Sequence, residues 1–159
     1  MSSKSRVRKS THPVMSPLLR ALTFSRTAHE PVTEAMLMQC YTALDAFRRG
    51  HGSRDLHMTL SRHLLVSQEL ARLGLGMEWL GDIERAHAAM VQVDEREHEH
   101  HGAGWTLDDS EYRRLSDALA VLDAQLAAAS LSDVASAEAR MIEGLMRSAQ
   151  NRVVAEATV

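Results

Sequence analysis

Asp109–Ser130 reads DSEYRRLSDALAVLDAQLAAAS, and the spacing of its apolar residues decides the fold class. Tyr112, Leu115, Leu119, Leu122 and Leu126 recur three or four positions apart. On a helix of about 3.6 residues per turn they form one stripe; on a strand they would scatter over both faces. The stretch is therefore an amphipathic helix. Just before it, in TLDD, Thr106 and Asp109 have the spacing of a capping box, with Asp in place of the usual Glu.

The same periodicity extends outward in both directions. Leu37, Cys40, Leu44 and Phe47 make a stripe on a helix expected from the N-cap Thr33 to Arg49. RRGHGSRD (48–55) should end it, with cations in the last turn, Gly50 beyond the C-cap, and Ser53 or Asp55 capping the next helix. That second helix presents Leu56, Leu60, Leu64 and Leu70 and closes at Gly74 and Gly76. A third runs from about Met77 to His101, with Leu80, Ile83, Met90 and Val93 inward, until GAGW breaks it. After a turn at Ser130 and Ser132, a fifth carries Val134, Met141, Leu145 and Val153. Nowhere do polar and apolar residues alternate as in a half-buried strand. Short connections between amphipathic helices make neighbours antiparallel. The expected fold is all-α: a single-domain bundle of about five amphipathic helices behind a basic, largely disordered N-terminal arm.

That arm is the compositional anomaly. Residues 1–29 contain Lys4, Arg6, Arg8, Lys9, Arg20 and Arg26 and no acid, a charge of +6. The whole chain is at −3, so the remainder stands at −9. All three prolines also lie within the first 31 residues. The reading divides the chain into an arm, 1–31, and a helical domain, 32–159. Lys4, Arg6, Arg8 and Lys9 are candidate nucleic-acid contacts, because clustered cations release counterions from phosphates. A solubilising tail is the competing reading, and the acidic body would repel DNA. An Arg- and Ser-rich, acid-poor leader also describes a transit peptide.

The other conspicuous stretch is VDEREHEHHGAGW (Val93–Trp105), with four acids and three histidines between positions 94 and 101. On a helix Asp94, His98 and His101 project from one face, and two imidazoles with a carboxylate can ligate zinc or nickel. A metalloprotease signature would need a histidine at position 102, which is glycine. The competing reading is the solvated end of a helix whose apolar stripe has faded after Val93. His63 and His87 lie on or beside apolar stripes and read as core histidines, and Asp45 as a surface acid. No nucleophile elbow, phosphate-cradling loop or dinucleotide fingerprint occurs, so neither catalysis nor a cofactor is expected. A single cysteine, Cys40, rules out an internal disulfide and suggests a reducing compartment.

Ala43–Gly76 (ALDAFRRGHGSRDLHMTLSRHLLVSQELARLGLG), Leu122–Ser130 (LDAQLAAAS) and the Lys/Arg-rich start resemble small helical proteins of proteobacterial prophages, phages and mobile elements. A Trp often occupies the position held here by His57. Proteins of this group often carry the label of Fis-type transcriptional regulators, although the C-terminal MIEGLMRSAQNRVVAEATV holds only two arginines and no basic recognition helix. The resemblance implies a soluble helical protein of the bacterial cytoplasm, with no catalytic residues to carry over. The expected function is non-enzymatic binding of a host or phage macromolecule away from membranes. A DNA-binding regulator using the arm is the first alternative, and a metal-dependent enzyme at Asp94, His98 and His101 the second.

Overall fold

The computed structural model describes the backbone of residues 26–99 and 105–156 and the side chains of residues 30–99 and 105–151. Five α-helices make it up: α1 (Arg26–Arg48), α2 (Arg54–Arg72), α3 (Leu80–Glu99), α4 (Asp109–Ala128) and α5 (Leu131–Glu156). A 3-10 turn, Met77–Trp79, leads into α3. No strand occurs among the described residues, as the periodicity requires.

Helices α1 to α4 form an up-down-up-down four-helix bundle. In it α1 packs on α2 and α4, and α3 packs on the same two from the other side. The core takes the stripes read from sequence: Cys40, Leu44 and Phe47 from α1, Leu60, Leu64 and Leu70 from α2, Ile83, Met90 and Val93 from α3, and Leu115, Leu119, Leu122 and Leu126 from α4. Burial pushes the Cys40 thiol up to about 12, which leaves it unreactive at neutral pH. Leu37, Leu56 and Tyr112, also assigned to stripes, are only partly buried at its margin. At that margin Arg48 of α1 lies 4.8 Å from the centre of the Tyr112 ring.

The bundle core also holds one polar layer, which the stripes do not announce. Gln125 of α4 is 1% exposed and Ser67 of α2 fully buried. The Ser67 hydroxyl donates to Gln125 Oε1 at 2.6 Å, while Gln125 Nε2 donates to the carbonyls of Ser67 (3.0 Å) and Leu75 (2.9 Å). Every polar atom of the amide is thus satisfied, which is what makes it tolerable there.

Helix α5 stands outside this bundle. It packs on α2 alone among the extensive helix contacts. Arg62 of α2 pairs with its Glu138 at 2.8 Å, and Arg72 and Arg147 line one gap. Val134, Ala137 and Met141 bury against α2. Leu145 does not, at 53% exposed, which corrects its assignment to the core. It stands instead on the rim of a cleft beside Met58 and Leu65 of α2. Val153 lies outside the described side chains.

Two helix starts also differ from the sequence reading. Helix α1 begins at Arg26, not at Thr33, and contains Pro31. The Thr33 hydroxyl caps nothing; it donates back to the Glu30 carbonyl at 3.0 Å, an outlet open to Thr inside a helix. Helix α4 is capped by Asp108 and Glu111, not by Thr106 and Asp109. Asp108 Oδ1 accepts from Glu111 N at 2.7 Å and Glu111 Oε2 accepts from Asp108 N at 2.8 Å, the box with its usual Glu restored. The other signals fall where expected. Ser53 caps α2, and Gly50 and Gly74 follow the C-termini of α1 and α2 at φ +76° and +97°.

The loops before α2 and before α4 meet at Gly52 and Trp105. A Cβ on Gly52 would collide with the Trp105 carbonyl and come within 2.7 Å of Phe47. This closeness, and no backbone dihedral, demands the glycine. Trp105 also lies against the His57 ring, centroids 5.0 Å apart.

Candidate functional site

The histidine-rich end of α3 is fixed by the one cation within it. Arg96 reaches across to α4 and holds both oxygens of Glu111 at 2.7 and 3.0 Å, and it donates to the Thr106 carbonyl at 2.9 Å. The Glu111 side chain is 4% exposed and that of Arg96 42%. Bidentate geometry at a buried carboxylate gives this pair weight that a surface ion pair lacks. Its hydrogen bond to Glu111 also holds the Arg96 guanidinium above its ordinary range. So the stretch contains a structural clamp, missed in the sequence because the partner lies 15 positions away.

The residues proposed as ligands are placed differently. Asp94 and His98 are both exposed on the outer side of α3, and His101 lies outside the described residues. Among the described residues no three His, Cys, Asp or Glu side chains are grouped so as to hold a metal ion. Glu97 beside them has Oε2 shielded and without a hydrogen-bond partner among the described residues. Lys4, Arg6, Arg8 and Lys9 also lie outside the described residues.

Of the core histidines, His63 is one: 5% exposed, with Nδ1 donating to the Thr59 carbonyl at 2.7 Å. Desolvation pulls its pKa below the ordinary 6.5, opposed in part by that hydrogen bond and by Glu138. His87 is not a core residue. It is half-buried on the wall of a cleft. Asp45 is a surface acid, paired with Arg49 at 2.9 Å.

That cleft is a concave surface with apolar walls. It measures about 500 Å³ and lies where α5 meets α2 and α3, between Met58, Leu65, Met141 and Leu145, with His57, His87 and Arg62 around it. Its size falls within the usual range for ligand-holding clefts, roughly 300–1,000 Å³. His57 is held there by donating Nε2–H to the Met90 carbonyl at 2.9 Å. Met58 at 60% and Leu145 at 53% exposed form an apolar rim open to water. Farther along the α2–α5 junction the lining turns charged, with Glu69, Arg72, Arg140, Glu143 and Arg147 around a wider gap of about 640 Å³. Sequence reasoning missed the cleft because Met58 and Leu65 sit beside the α2 stripe, while Met141 and Leu145 lie on the α5 stripe and read as core. Met58 falls off the α2 stripe, an off-face apolar residue being the one signal available.

No family model, no curated protein and no solved structure matches the chain. No helix among the described residues is long and apolar enough to cross a membrane.

Proposed function

We propose that the chain is a non-enzymatic accessory protein of a phage or mobile element that acts by binding a macromolecule in the bacterial cytoplasm, and that it does so at the α2–α3–α5 cleft. The observation that carries this is the open apolar rim of Met58 and Leu145 over a floor of Leu65 and Met141. Large apolar side chains clustered in water at a concave site mark an interaction surface. Methionines suit such a surface because their unbranched chains repack around different partners. An apolar rim favours a protein partner over nucleic acid, whose contacts are chiefly to phosphates. The resemblance of Ala43–Gly76 to prophage-encoded proteins supplies the setting.

Affinity purification of the tagged chain from a bacterial host, with and without nuclease, tests the reading. A partner retained after nuclease and lost with Met58→Glu/Leu145→Glu is the expected result. Capture that disappears with nuclease and with Lys4, Arg6, Arg8 and Lys9 all replaced by Ala would favour the DNA-binding regulator. The charge asymmetry, +6 over residues 1–29 against −9 elsewhere, keeps that second reading alive. Four phosphate contacts to duplex DNA would give a log–log salt slope of about −3.6, with affinity no tighter than about micromolar.

A further inference from the structure

Helix α5 has two apolar stripes, and the bundle uses one. Val134, Ala137 and Met141 are buried. Ala135, Ala139, Ile142, Met146 and Ala149 form a second row, all exposed, with Ile142 at 50% and Met146 at 61%. Their four-three-four-three spacing is that of a helix–helix seam, an average of about 3.5 residues. We propose that this row pairs α5 with α5 of a second copy of the chain, antiparallel, about a two-fold axis midway between Ile142 and Met146.

The second copy is singled out by the order of the row. Read from Gly144 in either direction, the row runs large then small: Ile142 and Ala139 one way, Met146 and Ala149 the other. A two-fold contact sets residue i against j and j against i. Ile142 then meets Met146 of the second copy, and Ala139 meets Ala149. The small residues at both ends let the helices approach closely.

From Ala135 to Ala149 the row spans about 21 Å at 1.5 Å per residue. A helix pair that short falls below the roughly 800 Å² per partner of a standard interface, so the dimer is weak and depends on concentration.

Sedimentation equilibrium of the full chain over a wide concentration range tests this. The average mass should climb from monomer toward dimer, and Ile142→Asp should weaken association on the order of tenfold or more, with helicity unchanged by circular dichroism. Cross-linking reads the geometry with milder changes. In a Cys40→Ala background, a mixture of Ile142→Cys chains and Met146→Cys chains should form disulfides mainly between unlike chains. A monomer at every concentration, dimerisation indifferent to Ile142→Asp, or cross-linking mainly between like chains would overturn the proposal. Met58→Glu should leave the dimer intact, which separates this row from the cleft.

Discussion

Replacing Gln125 by Leu tests how much the buried polar layer contributes. Leucine restores an unbroken apolar stripe on α4 and is a better helix former, so a purely hydrophobic account of the core predicts gain. The hydrogen bonds predict loss. Without the amide, the buried Ser67 hydroxyl loses its acceptor at 2.6 Å and the Leu75 carbonyl loses its donor at 2.9 Å. A stranded buried polar group costs about 1–3 kcal/mol. Ser67 can turn its hydroxyl toward a carbonyl of its own helix, which limits its share. The net loss should be about 2–4 kcal/mol. At about 2–4 °C per kcal/mol for a chain of this size, the midpoint should fall by roughly 4–16 °C. Urea denaturation with an unchanged slope gives the stability directly. Ser67→Ala removes one of the stranded groups, so the double variant should be less impaired than the sum of the singles by about 0.5–3 kcal/mol. A neutral or stabilising Gln125→Leu, or strict additivity with Ser67→Ala, would refute the reasoning.

Other changes probe the remaining elements. Because the folded pKa of His63 is depressed below 6.5, the unfolded chain takes up a proton first as pH falls; its contribution is present above about pH 6.5 and lost on acidification below it. Stability measured against pH should therefore fall more steeply below pH 6.5 in the wild type than in His63→Leu, and parallel curves would contradict this. Gly52→Ala forces a methyl into Trp105 and Phe47 and should cost about 1–3 kcal/mol with loss of Trp fluorescence anisotropy; a neutral effect would mean that the loop yields freely. Replacing His98 and His101 together by Gln should change stability by no more than about 0.5 kcal/mol. A large drop in melting temperature, reproduced in the wild type by a chelator, would make the metal site real.

The stripes Cys40–Phe47, Leu60–Leu70, Ile83–Val93 and Leu115–Leu126 were legible because burial on one side of a helix imposes a short period on the chain itself. Most caps and breaks are equally local: Ser53, Gly50 and Gly74 act through bonds to residues a turn away. The choice between Thr106 and Asp108 as the α4 cap was not, since Glu111 serves at once the cap and Arg96 of another helix. Tertiary structure alone also decided that Gln125 sits in the core beside Ser67, 58 positions away, and that Gly52 must admit Trp105. It alone set α5 against α2. This placement left Leu145 on the rim of a cleft with the off-stripe Met58, and Ile142 and Met146 exposed on a second face of α5. A helix's own pattern marks an apolar face, but whether that face is covered depends on which neighbour packs against it.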